Sequence, residues 1–228
     1  MKVIPSILTS SAKDSWTQVQ NLLPYYSRFQ VDIADGNYVP NTTCQIDELQ
    51  KYFLDNAIKF PREVSFDFHL MVEDYEADMK KLVLFAKYIT IKVIFVHVSL
   101  NFNYEKLSAQ YSPFLIGLVL NPEDDVAIIK HKYDFSKIDN IQIMAIHPGM
   151  QGSSFMPETL QKIEQLRAAN YRSSIFLDGA VNEHTLPIIL EKKYKPDFIC
   201  PGSYFSRAAN VEEKVKKIEN TIRHSGKR

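Results

Sequence analysis

Hydrophobic positions along this 228-residue chain fall into two alternating patterns from end to end. Short, nearly continuous apolar runs occupy residues 3–8, 29–33, 64–70, 91–98, 114–120, 141–146, 174–177 and 198–200. Runs of that length and content predict parallel strands covered on both faces. Between them lie stretches with helical spacing. Residues 75–87 place Met79, Leu82, Val83 and Ala86 on one face, and residues 157–168 do the same with Leu160, Ile163 and Leu166 behind Pro157 at a helix start. Residues 183–192 and 211–222 repeat the pattern. Eight strands and about eight helices of near-equal length predict an α/β fold, a single (β/α)8 TIM barrel spanning residues 1–228.

Charge narrows the function classes. The 27 basic residues are matched by 27 acidic ones, which excludes a protein that holds nucleic acid by net positive charge. A small phosphate-bearing ligand is compatible with a neutral chain, because backbone amides can hold phosphate. Cys44 and Cys200 make no disulfide framework and read as isolated small residues, free thiols of a reducing cytosol. The N-terminal apolar stretch is broken at Pro5, too early for a secretion signal. The longest apolar run, residues 88–100, carries Lys92 and His97 and falls short of the ~20 residues of a membrane span. A cytoplasmic protein with no membrane or nucleic-acid partner is expected.

Three strand candidates end in an acid or an imidazole: Asp32, His69 and Asp178. A closed parallel barrel draws its active groups from the C-terminal ends of different strands, so it would bring these three together. Two carboxylates from opposite strands, facing a small substrate, suit removal of a proton on one side and its return on the other. That chemistry belongs to an isomerising enzyme.

The strand ends also carry a resemblance. The segments are Pro5-Ser-Ile-Leu8, Val31-Asp-Ile-Ala-Asp-Gly-Asn-Tyr-Val-Pro-Asn41, Asp67-Phe-His-Leu-Met-Val72, Leu120-Asn-Pro-Glu123, His147-Pro-Gly-Met-Gln-Gly152 with Ser154-Phe-Met-Pro-Glu158, Leu177-Asp-Gly-Ala-Val-Asn182, and Gly202-Ser203. In that order they resemble the ribulose-phosphate 3-epimerase family, including its hexulose-phosphate relatives. The resemblance implies a barrel of the ribulose-phosphate-binding type, a sugar-phosphate substrate and a homo-oligomer. It implies that Asp32 and Asp178 are the acid/base pair. It also implies a divalent metal (Zn, Fe, Mn or Co) on Asp32, His69 and Asp178. Substrate and phosphate contacts would come from Ser6, His69, Gly149, Met150, Gln151, Gly152, Gly179, Ala180, Gly202 and Ser203.

Several positions depart from the family pattern. Where the family has a fourth metal ligand, a His two residues before the first Asp, this chain has Gln30. A neutral amide oxygen is a much poorer ligand for zinc or iron than imidazole nitrogen. A Met becomes Ala34, whereas Met71 and Met144 are kept. Gln151 and Ala180 replace glycines in two loops, and a Cβ at Ala180 would crowd an amide approaching phosphate.

Other polar residues carry duller expectations. Asp35 reads as a turn residue, Asp67 as a buried hydrogen-bonding group, His97 as structural, His147 as either pocket lining or support, and the charged run 212–217 as a solvated helix face. Two other functions compete with epimerisation. Related barrel decarboxylases and lyases resemble an Asp-x-Lys-x-x-Asp pattern on strand three. Here that stretch is Asp67-Phe-His69-Leu-Met-Val72, without the Lys or the second Asp. A phosphosugar binder without turnover is the other alternative.

Overall fold

The apolar runs pair side by side, all in parallel, in a sheet that closes on itself. The structure, a computed structural model, describes residues 1–149 and 152–225. The strands are β1 (Lys2–Val3), β2 (Ser6–Ile7), β3 (Arg28–Ala34), β4 (Ser65–Met71), β5 (Ile91–His97), β6 (Leu115–Leu120), β7 (Asn140–Met144), β8 (Ser174–Asp178) and β9 (Phe198–Cys200). They lie in the order β1-β9-β8-β7-β6-β5-β4-β3-β2. β1 and β2 are two halves of one run, and they pair with the last and the second barrel positions respectively. The architecture is the expected (β/α)8 barrel.

The first run was expected to be one unbroken strand, and Pro5 divides it. Proline has no N–H for a ladder. Its carbonyl still takes Gln30 N–H at 2.9 Å, while Ser6 N–H goes the other way to Pro201 O at 3.1 Å. This switch of partners closes the barrel.

Helices α1 (Ala12–Leu22), α2 (Ile46–Asp55), α3 (Tyr75–Phe85), α4 (Tyr104–Gln110), α5 (Val126–Lys132), α6 (Gln161–Ala168), α7 (Leu186–Glu191), α8 (Ser203–Ser206) and α9 (Val211–Ser225) cover the outside. Local chemistry sets their starts. Asp74 caps α3 by accepting Ala77 N–H. Pro157 opens a 3-10 turn, Pro157–Leu160, that leads into α6. The helix expected from residue 183 begins only at Leu186. Asn182 Oδ1 takes the N–H groups of His184 and Thr185 in a turn, which delays it.

Strand alternation sorts the side chains into two cores. Phe29, Val31 and Ile33 belong to the outer core under the helices. Val93, Phe95, Val119, Met144 and Phe176 fill the barrel interior. Gly117 leaves room for the Phe95 ring, since a Cβ there would lie 2.4 Å from its Cδ1. At the N-terminal end of β3, Arg28 makes a paired hydrogen bond to the fully buried Asp67, at 2.8 and 3.0 Å. Burial pushes the Asp67 carboxyl up to about 6 against the pull of Arg28. Asp67 is thus the buried hydrogen-bonding group expected of it.

Candidate active site

β3 and β4 are in register such that Asp32 lies beside His69 on the same rung. Asp178 ends β8, level with Met144 on β7 and Cys200 on β9. β8 and β3 are separated only by β9 and the split first strand, so the two carboxylates are near neighbours around the barrel rather than directly opposite. His69 Nδ1 lies 3.2 Å from Asp32 Oδ1 and 3.5 Å from Asp178 Oδ2. All three side chains are buried.

The electrostatics follow from that crowding. Burial disfavours a charged His69, but hydrogen bonds and charge from Asp178 and Asp32 outweigh it and push the ring up to about 9. Burial and the charge of Asp32 push Asp178 upward, against the pull of His69 and Gln30. On its far side His69 Nε2 meets His97 Nε2 at 2.9 Å. Burial and the neighbouring His69 hold His97 well below the ordinary histidine range, so it meets His69 as a neutral ring.

Four further groups complete the network, and two of them, Gln142 and Cys200, are not among the site residues that the sequence predicts. Gln30 Nε2 donates to Asp32 Oδ1 at 2.9 Å and to Asp178 Oδ2 at 2.7 Å. Gln142 Nε2 donates to Asp178 Oδ2 at 3.2 Å. The Cys200 thiol donates to Gln30 Oε1 at 3.4 Å. Ser6 Oγ donates to Asp32 Oδ2 at 2.9 Å. In sequence nothing but strand parity marks Gln142, or marks Cys200 as more than an isolated thiol: each shares the inward face of its strand with a barrel-filling residue. His97, expected to be structural, instead supports His69. Its signal was the same position at the end of an apolar run.

The loop candidates gather around the same cavity, of about 450 Å³. Gly149, Gly152, Gly179, Ala180, Gly202 and Ser203 line it together with Ser6 and His69. Met150 and Gln151 lie outside the described residues. Met71 and Met144 also line the cavity, whereas His147 is exposed and faces Glu123. Ala180 adopts a left-handed backbone, φ +51°, right after Gly179 at φ +110°. Asn182 Nδ2 and Thr185 Oγ1 both donate to the Ala180 carbonyl at 2.8 Å and hold it there. The loop thus keeps a glycine-like path despite the Cβ. Asp35 is the expected turn residue, accepting N–H from Asn37, Tyr38 and Glu73.

One carboxylate oxygen from each Asp and a ring nitrogen of His69 lie within 4.8 Å of one another. Two carboxylates and one imidazole are a donor set that fits a divalent cation. Gln30 aims its N–H groups at the same carboxylate oxygens, so it completes no fourth ligand in this arrangement.

A parallel (β/α)8 barrel with a carboxylate pair and an imidazole at the C-terminal ends of its strands defines a class of barrel enzyme. The chain belongs to the ribulose-phosphate 3-epimerase family, whose model matches residues 2–206. It is an isomerase of the epimerase kind acting on carbohydrate phosphates. Similar proteins include a Schizosaccharomyces pombe ribulose-phosphate 3-epimerase, 26% identical across 97% of this chain and 93% of that one. One from Synechocystis is 31% identical across 85% of this chain and 81% of its own. Among solved structures, a 3-hexulose-6-phosphate synthase covers 97% of this chain and 99% of its own with a TM-score of 0.65 at 11% identity. That likeness shows the fold. Among the described residues no helix is long and apolar enough to cross a membrane.

Proposed function

We propose that this chain inverts C3 of a pentulose phosphate, interconverting D-ribulose 5-phosphate and D-xylulose 5-phosphate, with Asp32 and Asp178 as the proton-transferring pair. The observation that carries this is the meeting of two buried carboxylates, tied together through Gln30 and His69, in a cavity bordered by glycine-rich loops. Family membership supports the substrate class.

The C2 ketone acidifies the C3–H bond. One carboxylate takes that proton, leaving an enediolate across C2 and C3, and the other carboxyl protonates C3 from the opposite face. Asp178, raised by burial and by the charge of Asp32, is the member that holds the proton at rest. Asp32 is then the base for the first transfer, and the roles exchange in the reverse direction. Gln30 and Gln142 hold Asp178 through Oδ2, and Ser6 holds Asp32 through Oδ2, so each carboxyl keeps one oriented face. A divalent cation held by Asp32, His69 and Asp178 would lend the enediolate oxygens Lewis-acid stabilisation. Gly179, Ala180, Gly202 and Ser203 line the cavity, and their backbone amides would take the phosphate.

Proton NMR of D-ribulose 5-phosphate in D2O tests this. Wild type is expected to exchange the C3 proton and form the C3 epimer. Asp32→Asn and Asp178→Asn, folded by circular dichroism, are each expected to lose at least ~10²-fold in rate. Retention of more than about a tenth of the rate by either variant would remove that residue from the pair. Binding of the sugar phosphate with no exchange in wild type would establish the phosphosugar-binder alternative.

A further inference from the structure

Gln30 lies between the two carboxylates, and its own chemistry says which way round it sits. Its nitrogen is 2.9 Å from Asp32 Oδ1 and 2.7 Å from Asp178 Oδ2, with the side chain fully buried. Asp32, the ionised member of the pair, only accepts hydrogen bonds, so the amide end facing it must be the donor, NH2. The opposite end faces Cys200. Gln30 Oε1 takes the Cys200 thiol at 3.4 Å. Each end of the carboxamide therefore has a partner of matching polarity.

A divalent cation needs the same carboxylate oxygens. Asp32 Oδ1 is already shared by Gln30 Nε2 and His69 Nδ1, and Asp178 Oδ2 by Gln30, Gln142 and His69. An amide NH2 has no lone pair to offer a cation and carries partial positive charge towards it. As it stands, Gln30 competes with a cation. A half-turn of the carboxamide reverses this without moving the backbone. Oε1 then faces the carboxylates and Nε2 faces Cys200, whose sulfur is a weak acceptor as well as a weak donor. Cys200 can therefore partner either orientation.

We propose that Gln30 sets the cation specificity of this site: its carboxamide bridges Asp32 and Asp178 through N–H when no cation is bound, and turns by half a rotation to offer Oε1 when one binds. This rests on reading Asp32, His69 and Asp178 as the cation ligands. The completed set is then three oxygen ligands and one imidazole nitrogen. Oxygen ligands suit hard ions such as Mn²⁺, whereas a second imidazole would favour Zn²⁺. The bridge must also be given up on binding, which weakens affinity for every ion. The site is accordingly weak overall, and it discriminates less between Zn²⁺ and Mn²⁺ than one with His at this position.

Two measurements without substrate test this. In the first, protein labelled with 15N-glutamine is titrated with Zn²⁺, and the Gln30 side-chain NH2 signals are followed. They are expected to move with the same midpoint as zinc binding measured by calorimetry. In the second, Zn²⁺ and Mn²⁺ affinities are measured by chelator competition for wild type and Gln30→His. The substitution is expected to raise zinc affinity by at least about tenfold and manganese affinity by less than about threefold. Gln30 signals that stay put at saturating zinc, a wild type that binds no zinc, or an equal change for both ions would each overturn the proposal. The amide titration uses only the wild-type chain and decides the matter if Gln30→His fails to fold. Epimerisation is assayed separately. Turnover with an unmoved amide overturns this inference alone, and a moved amide without turnover of any ketose phosphate overturns the epimerase reading alone.

Discussion

His69 and His97 meet nitrogen to nitrogen, Nε2 to Nε2 at 2.9 Å, with their rings 5.0 Å apart and 29° from parallel. Two ring nitrogens at that distance share one proton. Asp32 and Asp178 keep His69 protonated and His97 is neutral, so His69 donates Nε2–H to His97 and turns Nδ1 towards Asp32 and Asp178. A partner of this kind fixes the orientation of a metal-binding imidazole. His97→Leu is therefore expected to lower divalent-cation affinity by about 10–100-fold in a folded protein, and His97→Gln, which keeps an acceptor, to recover part of it. Chelator competition measures both. Equal affinity in His97→Leu and wild type would leave His97 with packing alone.

The Ala180 turn sets two opposing effects against each other. Its left-handed backbone costs an alanine roughly 1–2 kcal/mol, whereas glycine's extra freedom in the unfolded chain costs about 0.5–1 kcal/mol. Ala180→Gly is expected to leave stability unchanged or slightly raised in urea unfolding. A clear loss would mean that the Ala180 methyl packs more strongly than its strain costs.

Gly179 has no such latitude. Its φ is +110°, and a Cβ would lie 2.6 Å from Ile146 Cγ1 and 2.9 Å from Ile146 N. Gly179→Ala is expected to lose ~1–3 kcal/mol of stability and to raise KM for a ketose phosphate by displacing the loop amides. Unchanged melting and KM would show that the loop absorbs the methyl.

Phosphate should dominate ligand recognition. Ribulose 5-phosphate is expected to bind at least about tenfold tighter than ribulose by calorimetry, because oriented amides in a low-dielectric cavity favour an anion. Equal affinities would contradict the proposed phosphate contacts of Gly179, Ala180, Gly202 and Ser203.

Burial governs the thiols. It pushes Cys44 up to about 12, helped by Glu48, and drives Cys200 well above the ordinary range, helped by Asp178 and Asp32. Both stay protonated at pH 8, so neither should react with an aromatic disulfide reagent in the folded protein. Both should react once urea unfolds it. Prompt labelling of either at pH 8 without denaturant would contradict this.

Much of this protein is legible in its sequence alone. Alternating apolar runs and amphipathic stretches specify a parallel barrel, because a strand covered on both faces must be apolar throughout and its crossover must be helical. Asp32, His69 and Asp178 stand out because polar groups ending such runs have no packing reason to be there. Three things needed the tertiary structure. Pro5 breaks a strand, but only barrel closure shows that the break lets one run pair with two different neighbours. Gln142, Cys200 and His97 look like ordinary strand residues until register turns them inward beside the acids. Gln30 shows in sequence only as an amide where its family has an imidazole. That its nitrogen links Asp32 to Asp178, the latter 148 positions away along the chain, is decided by which strands the closed barrel brings together. Hydrophobic pattern is local and period-bound, so it can be read along the chain. A hydrogen bond depends on the distance and direction between particular atoms, and those exist only after the sheet has closed.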